Sequence, residues 1–386
     1  MSAPNNSKPT ALSSVHERLG ASFTDFGGWW MPLRYGSDVA EHLAVRQAAG
    51  IFDLSHMGEV LVTGPEAAAF LDYALVGRLS AVEVGRAKYS LLCNEQGGVI
   101  DDLIIYRLGQ DEFLVVPNAA NTPAALAALE GRTGTPDGHT FDVTISDRTE
   151  ATALIAVQGP ASEAILLEVV TADSVEAVKA LRYYAIVDVV VETGDGELPV
   201  KLARTGYTGE DGFEIYVDAE ADPEAPQRLW TLLESAGQSY GLVPCGLASR
   251  DSLRLEAGMP LHGHELSESI DPFSAGLGPV VALKSKVSFV GRDALAAIKE
   301  SGPQRKLVGL ANDTKRAARP GYAVLHDGDT VGEVTSGAPS PTLGHAIALA
   351  FVRPDLAEVG TELQVDLRGK PTPFTVVALP FYKRER

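Results

Sequence analysis

Three apolar runs in the first third of the chain constrain its fold more than any other feature. They are "AKYSLLCN", "GGVIDDLIIYRL" and "DEFLVVPN", separated by "NEQGG" and "GQ". Such runs, closed by Gly/Asn turns, read as a meander of three antiparallel strands. A strand, "GEVLVTG", and a helix beginning "GPEAAAFLDYALV" precede them, with Pro65 well placed in the helix's first turn. A helix, "TPAALAALEG", follows. This order predicts an α+β layer on a largely antiparallel sheet.

The pattern returns loosely downstream, with no fixed period. "ATALIAVQGPAS" reads as a strand ending at Gly-Pro, "EAILLEVV" as a helix and "YAIVDVVVETG" as a strand. "LPVKLARTGYTGEDGFEIYV" is a hairpin and "APQRLWTLLESAGQ" a helix, so two α+β lobes are expected in succession. Before the first lobe, "ALSSVHERLGASFTDFGGWWMPLRYGS" reads as a short helix and a Gly- and Trp-rich loop. "DVAEHLAVRQAAGIFDLS" reads as a helix running to Ala49, with Gly50 as its stop. "GLASRDSLRLEAGM" is a helix stopped by Gly258, and "GRDALAAIKESG" is a helix leading into the last region. From "KLVGLAND" onward come short strands and turns, which predict a small terminal β-barrel starting near Gly291. A chain of 386 residues suits two or three domains.

The net charge of -19 repels phosphate backbones and argues against a nucleic-acid partner. The opening "MSAPNNSKP" lacks an apolar signal region, and no apolar run reaches the ~18 residues of a membrane span. The expectation is a cytoplasmic protein without a membrane partner. Cys93 and Cys245 lie far apart, outside any Cys-x-x-Cys pattern, and read as buried free thiols.

Several stretches could carry chemistry. In "RTGYTGEDGFEIYV", alternation puts Phe213, Ile215 and Val217 on one face and Glu214 and Tyr216 on the other. A carboxylate beside a glycine turn can accept two hydrogen bonds from an amino-amide edge, as on pterins and guanines. On this segment alone, a solvated Glu in a polar hairpin explains Glu214 as well. In "GGVIDDLIIYRL", Asp101 falls with Val99 and Leu103, and Asp102 with Ile100, Ile104 and Tyr106. Both faces are apolar, so at least one Asp meets a partly buried setting. It is there either for acid/base or orienting work or to bond the preceding turn's amides. Arg250 and Arg254, four apart, share a helix side with Leu247 and read as a charge reaching into a site or as a structural ion pair. His262, His264 and Glu265 lack metal-site spacing, so no metal is expected. His56 reads as a packing histidine and Gln158–Pro160 as a strand stop. No phosphate-binding glycine fingerprint is present.

In order, "FDLSHMGE", "GGVIDDLIIY", "VQGPAS", "RTGYTGEDGFEIYV", "GLASRDSLRLEAGMPLHGHEL" and "TSGAPSPTLGHAIALAFV" resemble the aminomethyltransferases, the T-proteins of the glycine cleavage system. The resemblance runs from about Phe26 to the C-terminus. It implies a three-domain, ring-shaped folate-binding fold of class α+β, with two α+β lobes and a C-terminal β-barrel. The implied division is 1–52 with 150–260, a second lobe at 53–149, a connecting segment at 261–290 and the barrel at 291–386. The implied reaction moves a one-carbon unit from the aminomethyl-dihydrolipoyl arm of H-protein to tetrahydrofolate, giving methylenetetrahydrofolate and ammonia without a metal. Carried over residue by residue, Asp102 is the catalytic aspartate and Glu214 holds the pterin edge. Tyr207, Arg250, Tyr89 and Asn118 line the folate, and Tyr382 stands where some members place a C-terminal aromatic, on a terminus that is shorter here. The turn glycines would make room for a flat ring. Two other activities share this fold: folate-dependent methyl or one-carbon transfer by a demethylase, and folate binding by an iron–sulfur accessory protein. The full motif set argues against the accessory protein.

Overall fold

The structure, a computed structural model, describes residues 7–384. The chain divides into two compact units. Unit 1 comprises residues 1–70, 79–88 and 103–250, and unit 2 comprises 71–78, 89–102 and 251–386.

Unit 1 is built on a six-stranded sheet. Its strands, in spatial order, are Ile186–Thr193, Gly196–Ala203, Gly212–Asp218, Thr152–Gln158, Ala49–Asp53 and Leu242–Pro244. Neighbours are antiparallel except the last pair, which is parallel. Phe213, Ile215 and Val217 all face the core, as their alternation requires, beside Ile51, Ile155 and Val157. The helix Ala225–Gly237 closes this core with Leu229, Trp230 and Leu233, a stripe at helical spacing.

A second sheet of five strands has the order Ala87–Cys93, Val99–Gly109, Glu112–Val116, Val60–Thr63 and Thr144–Asp147. The three meander strands are spatial neighbours in it, and the first two run on from one unit into the other.

Two local expectations are corrected. The Gly- and Trp-rich segment is a hairpin, not a loop: Ser22–Phe26 pairs with Trp29–Arg34, and Phe23 stacks on Trp30 at 5.6 Å. Gly27 and Gly28 make the turn with φ of 60° and 85°, values that side-chain-bearing residues rarely adopt. The helix beginning at Asp38 ends at Gln47, and Ala49–Asp53 is a fully buried strand. Gly50 therefore stops nothing. A Cβ there would lie 2.5 Å from Val45 Cγ2 and 2.6 Å from Cys245 Sγ, so close packing demands the glycine.

Unit 2 contains a closed six-stranded barrel: Lys306–Asn312, Ala346–Val352, Asp329–Pro339, Ala323–His326, Glu362–Asp366 and Pro371–Val377, returning to the first strand. Closure leaves no unpaired strand edge. Leu310, Val324, Val334, Ala348 and Phe374 fill it, and the helix Arg292–Ser301 precedes it. Among the described residues, no helix is long and apolar enough to cross a membrane.

Candidate functional site

In unit 1 the polar turn joins the strands Gly196–Ala203 and Gly212–Asp218, and a residue from a third strand holds it in place. The buried Gln158 amide donates from Nε2 to the Thr205 carbonyl at 3.1 Å and accepts the Thr208 hydroxyl at Oε1 at 2.9 Å. A Cβ on Gly206 would lie 2.0 Å from Gln158 Oε1, and one on Gly212 2.5 Å from Gln158 Nε2. These two glycines thus make room for a side chain of the protein itself, which corrects the expectation that they clear space for a ligand ring. Gln158 was legible only as a strand stop, because nothing in "VQGP" shows that its side chain fills a turn nearly fifty residues away. Arg46 adds further bonds, donating to the Thr208 carbonyl at 2.7 Å and to Glu210 at 3.0 Å.

Glu214 is half-buried in the second strand of this hairpin. Its Oε2 accepts the Thr205 hydroxyl at 2.5 Å and the Tyr106 hydroxyl at 3.3 Å, and those two hydroxyls are 2.8 Å apart. Oε1 takes no hydrogen bond from a described residue. Burial, then the Glu214 charge, pushes the Tyr106 phenol well above its ordinary range, so it stays a neutral donor. The carboxylate is therefore oriented from one side and open as an acceptor on the other.

The Arg250 guanidinium lies over the Tyr207 ring at 4.8 Å, a cation–π contact that joins two of the expected site residues. His56 is buried, edge-on to Phe26 at 5.5 Å, and its Nδ1 has no hydrogen-bond partner. Burial, then the Arg250 charge, holds its pKa down at about 3, so the ring is neutral. A packing histidine normally has both nitrogens satisfied, and this one does not. Asn118 is half-buried where the strand Glu112–Val116 gives way to a short 3₁₀ turn; its carbonyl accepts from Asn121 N at 2.9 Å and from the Thr122 hydroxyl at 3.2 Å.

In unit 2 the pleat puts the paired aspartates on opposite faces. Asp101 is fully buried with Val99 and Leu103, whereas Asp102 is half-buried on the opposite face and accepts the Tyr89 hydroxyl at 3.0 Å. Arg254 takes the structural role left open for it. It is 1% exposed and pairs with Asp251 at 2.8 Å and with the buried Glu265 at 3.1 Å. His264 contacts the Thr335 carbonyl at 2.9 Å and His262 the Val99 carbonyl at 3.2 Å. Tyr382 is half-buried, and its backbone N–H donates to the Glu256 carbonyl at 2.8 Å.

Within each unit, then, the structure joins Tyr89 to Asp102 and Tyr207 to Arg250. It engages Glu214 with two hydroxyls that sequence reasoning did not single out. Sheets in a mixed α+β context and a closed C-terminal barrel, with oriented carboxylates and phenols on the strands, define a multidomain α+β protein. The GCVT N-terminal domain family matches residues 12–285, and the glycine cleavage T-protein C-terminal barrel domain matches residues 305–383. The chain belongs to the glycine cleavage T-protein family. It is 53% identical to an aminomethyltransferase of Corynebacterium jeikeium over 98% of this chain and 99% of that protein. It is 55% identical to one of Cutibacterium acnes over 97% of this chain and 98% of that protein. The crystal structure of glycine cleavage system aminomethyltransferase T from Bartonella henselae superposes with a TM-score of 0.85 at 36% identity, over 97% of this chain and 98% of that one.

Proposed function

We infer that the protein is the aminomethyltransferase of a glycine cleavage system. It takes the one-carbon unit from the aminomethyl-dihydrolipoyl arm of H-protein and passes it to tetrahydrofolate. Full-length similarity to curated aminomethyltransferases supports the reaction class, and the Glu214 environment carries the folate assignment. Thr205 and Tyr106 hold one carboxylate oxygen, so the carboxylate presents the other in a fixed direction. A pteridine's amino-amide edge needs such a prealigned acceptor. Tyr207, Arg250, Tyr89 and Asn118 complete the proposed folate contacts, with Tyr382 as the C-terminal aromatic. The proposed domain division is 1–52 with 150–260, then 53–149, 261–290 and 291–386.

The chemistry follows from the groups. Expelling the lipoyl sulfur as thiolate from an S–CH2–NH2 centre leaves an iminium, stabilised by the nitrogen lone pair. A folate nitrogen adds to its carbon. Proton transfer to the amine releases ammonia, the second folate nitrogen closes the methylene bridge, and the thiolate takes up a proton. Holding the reactants in line supplies up to ~7–11 kcal/mol of the barrier. Asp102, braced by Tyr89, orients the folate amine and stabilises the cationic intermediates; general acid/base assistance of this kind contributes roughly 10²–10⁴ in rate.

The test is tetrahydrofolate-dependent ammonia release from aminomethyl-loaded H-protein, with a no-folate control. Folate-dependent release is expected, and Asp102→Asn is expected to keep folate binding while losing most turnover. Release that is indifferent to folate sinks the reaction assignment; full turnover by the Asn variant removes Asp102 from it.

A further inference from the structure

A cleft in unit 1 has no part in the transfer reaction described above. It has a volume of about 380 Å³, within the range of small-molecule sites, and both sheets contribute to its lining. Leu61, Leu108 and Leu114 come from the five-stranded sheet, and Pro199 and the Tyr216 ring from the six-stranded one. Charged residues also line it, but its cations are engaged: Lys201 pairs with Asp188 at 2.7 Å and Arg148 with Glu220 at 2.8 Å.

Glu59 and Tyr216 supply the cleft's buried polar groups. Glu59 is 0% exposed, and neither carboxyl oxygen has a hydrogen-bond partner. Its backbone is fixed by the loop Asp147–Thr149: Glu59 N–H donates to Thr149 Oγ1 at 3.1 Å, and Arg148 N–H donates to the Glu59 carbonyl at 2.7 Å. The side chain is thus held where nothing in the protein satisfies it. Burial, then the Asp147 charge, pushes its pKa well above the ordinary glutamate value, which favours the neutral acid with one O–H donor beside one C=O acceptor. A buried polar group left unpaired is destabilising, and a matching ligand edge would offset that cost.

We propose that this cleft is a second small-molecule site, which takes an uncharged planar ligand whose adjacent acceptor and N–H donor, a lactam or cis-amide edge, pair with the Glu59 carboxyl. The apolar walls cover the ligand's ring, and the rim cations already face carboxylates. A charged amine is disfavoured because a neutral carboxyl offers it no counter-charge.

The probe is 2-pyridone, which carries that edge on a small ring, titrated into the full-length protein by NMR and soaked into crystals. N-methyl-2-pyridone, which lacks the donor, is the control. Binding in the cleft is expected with a Kd of about 1 mM or tighter, weakened at least ~10-fold for the N-methyl compound and for Glu59→Leu. Glu59→Gln should bind within ~3-fold of wild type, because its amide presents the same donor and acceptor pair. Unfolding midpoints of both variants establish that they fold, and the Gln variant carries the test if the Leu variant does not. Equal binding of the two compounds, equal binding by Glu59→Leu, or only water on Glu59 at saturating probe overturns the proposal. None of these readouts depends on turnover, so the proposal stands or falls separately from the transferase reaction.

Discussion

Unit 1 buries Glu59 completely and unit 2 does the same with Glu265, and the two carboxyls have opposite surroundings. Glu265 in unit 2 accepts from Arg254 at 3.1 Å, from Leu261 N–H at 2.9 Å and from the Ser336 hydroxyl at 2.7 Å. The Glu59 carboxyl in unit 1 accepts nothing. Residue type and burial are the same; the difference is a cation within reach. The wider charge distribution runs the same way, with 31 acidic residues against 15 basic in unit 1 and 20 against 17 in unit 2. Burial alone therefore does not tell whether a carboxyl is charged. Its partners do.

The contrast can be broken in graded ways. The largest effect is expected from Glu265→Ala, which removes the buried one of Arg254's two carboxylate partners and leaves its charge to the exposed Asp251. It should cost roughly 3–5 kcal/mol in urea unfolding, and the double change Arg254→Met with Glu265→Leu should recover most of that. A loss below ~1 kcal/mol would dissolve the distinction between the two glutamates. Next comes Gly206→Ala, which forces a methyl into the Gln158 amide. About 1–3 kcal/mol is expected to be lost and largely regained when Gln158→Ala is added. Additive losses would show that Gln158 is not what the glycine accommodates.

The smallest effect belongs to Glu59→Gln, expected within ~1 kcal/mol of wild type at acid pH. The folded chain keeps a proton on Glu59 that the unfolded chain releases above about 4.5. Wild-type stability relative to the Gln variant should therefore fall as pH rises from there, and level off once the folded carboxyl ionises. Parallel stability curves for the two proteins across that range would mean Glu59 is charged or paired after all.

Much of the fold was legible in the sequence because it is local. The meander, the hairpin around the polar turn, the Ala225–Gly237 helix and the barrel's short strands are all written in period and punctuation. The failures have a common cause. Gly50 and Gly206 look like punctuation, but each is required by a side chain remote in sequence, Cys245 Sγ in one case and Gln158 in the other. The family resemblance named Tyr89, Asp102, Tyr207 and Arg250 one by one, but the contacts of Tyr89 with Asp102 and of Tyr207 with Arg250 were not read from the sequence. Thr205 and Tyr106 were passed over because a hydroxyl's role depends on what stands opposite it across two sheets. His56 reads from sequence as a packing histidine, since its unpartnered ring nitrogen cannot be seen in a string of letters.

The Gln158 anchor has a consequence for affinity. A loop with three glycines would ordinarily sample many shapes, and confining it costs ~1–2 kcal/mol per residue. Here hydrogen bonds from Gln158 and Arg46 impose that confinement during folding. The loop is held before any ligand arrives, so if Tyr207 lines the folate as proposed, little of this loop's entropy would remain to be lost on binding.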